Sequence, residues 1–266
     1  TFDLNINLSR NVSKVKELAD GVDYLFFNGD ANFPINVGTR VGHRLGEIYA
    51  KNLYKRDENG NMIVNKQGRP TKVSGEDAFQ YTLDHPIGNI EPDLLMSVSP
   101  SFTYKGFTLS ALFDMKFGGD IVSVSEAMAT STGLAARTAN RGNAENGWKI
   151  VAPGVTADGT VNSTAMNAQR YYTSMSGMAE EFVYDASFIK LKELSLGYSF
   201  PKSILKKTPL TSLNVAFVAR NLAYLMKHTP RTSPEGGYDT SMFSQAIDYM
   251  SVPYTRTFGL SINLGF

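Results

Sequence analysis

The final fourteen residues, Pro253 to Phe266, constrain the fold more than any other stretch. Tyr254, Phe258, Leu260, Ile262, Leu264 and Phe266 fall on one phase, and Thr255, Thr257, Gly259, Ser261, Asn263 and Gly265 on the other. Successive side chains of a strand point to opposite faces, so this segment makes one oily face and one wet face. A strand of that kind ending on an aromatic suits a membrane-spanning β-barrel, with lipid outside and a polar lumen inside.

Composition alone does not choose between architectures: 266 residues, 42% apolar and 19% charged, also fit one large or two ordinary soluble domains. A net charge of +1 without a polybasic run gives no field for nucleic acid, so no nucleic-acid partner is expected. No window is apolar enough for a transmembrane helix, whereas a barrel strand of about 9–11 residues passes that test unseen. The absence of cysteine excludes disulfides, thiol catalysis and cysteine-ligated zinc, and suits an exported bacterial protein. Thr1 is not a start residue, and Phe2, Leu4, Ile6 and Leu8 alternate with polar residues from the outset. The chain therefore reads as a fragment of a longer protein that opens inside a strand.

Period-two alternation marks about seven strand segments, near 1–9, 37–54, 93–104, 107–117, 186–200, 211–224 and 253–266. The fold class expected is all-β, an antiparallel transmembrane barrel. The cleanest pair is 93–104 with 107–117, joined by Lys105-Gly106, since two residues between such runs make a tight hairpin. The opposite faces carry Ser97, Ser99, Ser101 and Thr103, then Thr108, Ser110, Asp114 and Lys116, a polar set suited to a water-filled lumen. Lys190 and Lys192 sit in phase with the apolar residues after them. At the bilayer midplane each would cost about 2–4 kcal/mol, so they are expected above the membrane.

Connections alternate in length. With the terminus on the periplasmic side, Lys105-Gly106 and 201–210 are short inner turns, and 55–92, 118–185 and 225–252 are long outer loops. The link 10–36 falls on the inner side in this count yet is long, with a further strand signal at Tyr24–Phe27.

Ser187-Phe188-Ile189-Lys190-Leu191-Lys192, Leu196-Gly197-Tyr198, Pro201, Ala219-Arg220-Asn221-Leu222 and Arg256-Thr257-Phe258 before Phe266 together resemble the carboxy-terminal strands of the SusC/RagA family of TonB-dependent outer-membrane transporters. Gly88-Asn89, Pro92-Asp93, Tyr104-Lys105-Gly106-Phe107 and Gly118-Gly119-Asp120-Ile121 are similar to the same family's preceding hairpin and loop. The resemblance implies a barrel of about 22 strands, of which residues 1–266 hold about the last seven. It implies an amino-terminal plug that is absent from this chain and import of large nutrients, glycan or peptide. It also implies TonB-relayed energy acting through the missing portion, a SusD-like surface lipoprotein as lid, and the bacterial outer membrane as location. An open sheet would leave two unpaired edges in hydrocarbon, so the rest of the barrel is expected in further polypeptide.

Candidate contact residues lie in the long loops. Trp148, Arg137, Arg141, Arg170, Tyr171 and Tyr172 in 118–185 are candidates for substrate or lid contact, because aromatic faces stack on sugar rings and arginines bridge hydroxyls or carboxylates. Tyr238, Asp239 and Phe243 in 225–252 form a second set. Glu193, Asn214, Arg220 and Asn263 are expected to face the lumen by strand phase.

Other chemistry is not expected. Asp57, Asn59 and Asn61 have calcium-loop spacing, but Met62 replaces the glycine and Gly68 the final glutamate, so a turn is expected, with a small hairpin around Met62–Val64. His43, His85 and His228 lie at no metal or nucleophile spacing, and Glu180-Glu181 read as a solvated loop end. No catalytic residue, metal or cofactor follows. Two readings compete with import: a non-transport barrel acting as adhesin or assembly anchor, and a soluble carbohydrate-binding module.

Overall fold

Alternation along the chain resolves, in the computed structural model, into a six-stranded antiparallel sheet whose strands lie side by side in chain order. The structure describes residues 1–28, 34–238, 241–245 and 247–266. The wall strands are β1 (Phe2–Ser9), β2 (Leu94–Tyr104), β3 (Phe107–Phe117), β4 (Phe188–Ser199), β5 (Ser212–Lys227) and β6 (Thr257–Gly265). Five of them, at 9 to 16 residues, reach the length of about 9–11 that a tilted strand needs to cross hydrocarbon, and the edge strand β1 has 8.

Register places apolar against apolar. Phe2, Phe102, Leu109, Leu196, Phe217 and Leu260 form one row, each opposite the next across the sheet. All are between 45% and 66% exposed. Burying such a side chain is worth about 1.5–3 kcal/mol, and a contiguous row left bare is incompatible with water. Lipid satisfies it. The face behind carries Asp3, Ser101, Ser110 and Ser195 in the adjacent row.

The expected Lys105-Gly106 turn is present, with φ of 45° and 89°. Positive φ at both central residues is the mirror-image turn that matches strand twist, which Gly106 adopts without steric cost.

The expected phase of Lys190 and Lys192 is overturned. A bulge between Leu191 and Glu193 shifts register against both β3 and β5. Lys190 consequently pairs with Asp114 and Tyr224, and Lys192 Nζ lies 2.6 Å from Asp114 Oδ2, on the polar face. One inserted residue reverses the inside-outside pattern of everything beyond it.

The segment 37–54 is not a wall strand either, which is why the sheet has six strands rather than seven. It folds as short strands Ile35–Arg40, Glu47–Ala50 and Asn52–Tyr54. The first two join Tyr24–Asn28 and Gly88–Asn89 in a separate four-stranded sheet. Gly42 and Gly46, at φ of 84° and 77°, turn the chain where an uninterrupted strand was expected. Ile35, Val37, Ile48 and Tyr49 are fully buried.

This also accounts for the long inner link. With 37–54 removed from the wall, 10–93 is a single connection between β1 and β2. The long connections 10–93, 118–187 and 228–256 then leave one edge of the sheet, and 105–106 and 200–211 the other. The long connections share one core. Ile35 and Ile48 come from the first, Val122 and Phe182 from the second, and Ile247 from the third. Val122 pairs with both Val183 and Ile247, stitching the second and third together. A folded cap on one edge of the wall results. Within it, the turns flanking Met62–Val64 close as expected through Arg56 with Met62 and Val64 with Pro70.

Candidate functional site

Trp148 is the exposed aromatic around which a site on the cap is built, 48% exposed and in a left-handed backbone conformation with φ of 56°. Such a conformation is costly for a bulky residue and persists only where its surroundings hold it. The Trp148 amide donates to Asn143 O at 2.9 Å and Asn146 Oδ1 at 3.0 Å, and its carbonyl accepts from the Ala168 amide at 2.9 Å. The chain is thereby turned so that the indole stands at a groove of about 550 Å³.

Helix Val124–Ser131 ends in one wall of that groove, where Thr130, Thr132 and Leu134 line it. Leu134 is 74% exposed, a strong contact candidate that alternation along the sequence does not single out. Helix Ala168–Met175 also begins at the groove, its N-cap Asn167 side chain accepting from the Arg170 amide at 3.1 Å. Arg141 reaches across to Gly133 O at 2.8 Å. The groove therefore offers an indole face, an exposed leucine and a guanidinium, a set that can stack and donate hydrogen bonds.

Trp148, Arg141 and Tyr172 are brought together here. Tyr172, however, is only 5% exposed and Tyr171 6%, and both belong to the cap core. Burial pushes the Tyr171 hydroxyl up to about 12. Most of their surface is occupied by packing, and Tyr172 alone of the pair lines the groove. Arg137 is likewise turned inward. It stacks over Phe182 at 5.0 Å, donates to Glu181 Oε2 and the Tyr184 hydroxyl at 2.9 Å each, and its carbonyl accepts from Tyr172 at 3.0 Å.

Arg170 is exposed on the outer side of its helix and does not line the groove. Tyr238, half-exposed, packs its ring on Tyr249 at 5.6 Å in the third connection. Asp239 lies outside the described residues, as does the Phe243 side chain.

On the sheet, Glu193 faces Arg220 and Asn214 faces Asn263, all on the side opposite the apolar row. Arg220 Nε lies 2.7 Å from Glu193 Oε2.

Asp57 accepts from the Asn59 and Asn61 amides at 3.0 and 2.7 Å, so its carboxylate closes a turn. Glu180 and Glu181 are not a solvated end: Glu180 accepts from the Tyr54 amide at 2.8 Å and pairs with Arg56, while Glu181 pairs with Arg137. They bind different segments of the cap together. Among the described residues no cluster of His, Asp or Glu could hold a metal ion.

No family model matches the chain. Among curated proteins it is 27% identical to TonB-dependent receptor P3 of Formosa agariphila over 100% of this chain and 27% of that protein. It is 27% identical to TonB-dependent receptor SusC of Bacteroides thetaiotaomicron over 75% of this chain and 18% of that protein. The chain thus spans about a quarter or less of the length of these relatives. Among solved structures, the RagAB peptide transporter superposes on 100% of this chain and 27% of its own, with a TM-score of 0.60 at 16% identity. The RagAB peptide importer in its open-open state gives 0.60 at 15% identity, over 100% and 26%. These relatives are receptors and transporters rather than enzymes. With its exposed apolar row, antiparallel wall and long-loop cap, the chain shares the fold of the matching part of RagAB and is similar over its whole length to a part of a TonB-dependent receptor.

Proposed function

We propose that this chain forms the carboxy-terminal part of an outer-membrane importer of large nutrients, glycan or peptide, driven through TonB by a plug and further strands outside these residues. The observation that carries the reading is the apolar row from Phe2 to Leu260 beneath one cap made by all the long connections. A sheet of this kind needs lipid on one face, and its outer strands need partners, because unpaired backbone in hydrocarbon costs several kcal/mol per group.

In this reading the cap faces the cell exterior and meets both solute and a SusD-like lipoprotein lid. Trp148, Leu134 and Arg141 are its contact surface, with Arg170 and Tyr238 on flanking faces. Glu193, Arg220, Asn214 and Asn263 face the lumen, where they meet the plug or passing solute. The chain's contribution is selection and gating, with no bond made or broken.

The test is uptake of labelled oligosaccharides and oligopeptides by cells with and without the gene. Loss of uptake in the deletion, and in wild-type cells whose proton-motive force is collapsed, is the expected result. Uptake unchanged by deletion, or unaffected by de-energising the cells, overturns the proposal.

A further inference from the structure

At the cap-side end of β4 and β5 a second pocket, of about 170 Å³, gathers Lys190, Lys227, Arg231 and Arg256 beside Tyr224 and Tyr254. It is separate from the groove at Trp148 and shares no residue with it. Lys190 is 3% exposed, with its Nζ 2.6 Å from Glu235 Oε2 and 5.1 and 4.9 Å from the ring centroids of Tyr224 and Tyr254. The Tyr224 hydroxyl donates to the same carboxylate oxygen. Lys190 and Glu235 thus neutralise each other.

The other cations have no acidic partner among the described residues. Among the described residues, Lys227, Arg231 and Arg256 form no ion pair. Lys227 Nζ donates to the Thr232 carbonyl at 3.2 Å and lies 5.7 Å from the Tyr224 ring centroid, and Arg231 donates over a long 3.4 Å to Leu134 O. Asn221, held at φ of 54°, donates to Thr255 O at 3.3 Å and anchors the segment carrying Arg256 against β5. Three positive charges without an acidic partner among the described residues repel one another at one small concavity, and an oxyanion would relieve that repulsion. Guanidinium groups bind carboxylate and sulfate oxygens in paired hydrogen bonds. Tyr254, 57% exposed at the rim, adds a ring face of the kind that stacks on a sugar.

We propose that this pocket binds the carboxylate or sulfate of an acidic saccharide. The inference rests on the import reading and narrows it: the pocket lies on the polar face of the wall, where a solute passing beneath the cap meets it. Arg231 and Arg256 grip the oxyanion, Lys227 adds charge from the side, and Tyr254 covers the ring.

The test uses the detergent-purified receptor with its full barrel, titrated by calorimetry with glucuronate, glucose 6-sulfate, glucose and triglutamate. The expected result is that glucuronate or glucose 6-sulfate binds at least tenfold more tightly than glucose and than triglutamate. The R231Q/R256Q double variant weakens that binding about tenfold or more, in line with losing charge-assisted hydrogen bonds. Equal affinity for charged and neutral sugars, tighter binding of triglutamate, or undiminished binding in the double variant overturns the proposal. If the double variant does not assemble, competition on the unaltered protein decides: inorganic sulfate must displace the acidic sugar, and failure to displace it overturns the proposal. Energy-dependent uptake of solute without acidic-sugar binding sinks the pocket alone. Acidic-sugar binding without energy-dependent uptake sinks the import reading alone.

Discussion

Lys190 on β4 and Glu235 in the connection 228–256 meet at 2.6 Å, with the lysine side chain 4% exposed and the carboxylate 19%. The pair ties the third long connection down onto the wall. Breaking a buried pair by removing one partner typically costs about 3–5 kcal/mol, because the remaining charge stays uncompensated. Glu235→Gln should therefore loosen residues 228–256, read as faster amide exchange and proteolysis there. The K190M/E235Q double variant should recover much of the protection. Equal damage in single and double variants would show that the charge pairing is not what holds the loop.

Phe182 has no exposed surface and sits in the core shared by all the long connections, under the Arg137 guanidinium. Truncating such a residue costs about 3–5 kcal/mol. Phe182→Ala is expected to destabilise the cap while leaving the wall intact. Limited proteolysis should cut 118–187 selectively, with the heat-dependent gel mobility typical of a folded barrel retained.

Asp185 anchors the base of the cap, accepting from the Ser187 hydroxyl and amide and from His228. Burial pushes its pKa up, but the hydrogen bonds from Ser187 and His228 outweigh burial and leave it below the usual carboxylate value. A depressed folded pKa gives stability that is present above the unfolded value, about 3.9, and lost as pH falls through the folded one. Amide exchange around 183–187 should accelerate at pH below about 4, and Asp185→Asn should abolish that dependence. A dependence that survives in the variant would assign the titration to another group.

The wall was legible in the sequence where its period of two runs unbroken: β2, β3 and β6 occupy the segments that alternation marks, and Lys105-Gly106 makes the turn its residues demand. The cap was not legible from the same signal. In 37–54, alternation survives although both sides of the strands are buried, so the pattern of a membrane strand and that of a core strand coincide there. The bulge at Lys192 leaves no mark in composition, and its consequence depends on register against two neighbours. Tyr171 and Tyr172 did carry a signal. Ala168, Tyr171, Tyr172 and Met175 have the spacing of a buried helical stripe, which is what the structure forms. The site at Trp148 depends on a backbone conformation set by Asn143 and Asn146, which no side-chain pattern encodes.

Charge substitution distinguishes the two faces of β6. Leu260 stands in the apolar row, and Ser261 points the other way. An arginine on the lipid face near mid-membrane costs about 2–4 kcal/mol. Leu260→Arg should reduce the stability of the whole receptor in urea by that order, and Ser261→Arg by clearly less. Equal losses would mean that the apolar row does not face hydrocarbon.

Site-directed spin labelling along β6 reports whether this sheet is a membrane wall with its apolar row in lipid. The chain contains no cysteine, so single cysteines at residues 257–265 can be labelled without background from it. Accessibility to oxygen, which concentrates in lipid, should peak at 258, 260, 262 and 264 and fall at the intervening positions, with the opposite pattern for a water-soluble nickel reagent. A profile with nickel accessibility highest at 258, 260 and 262, or with no period of two, would contradict the account.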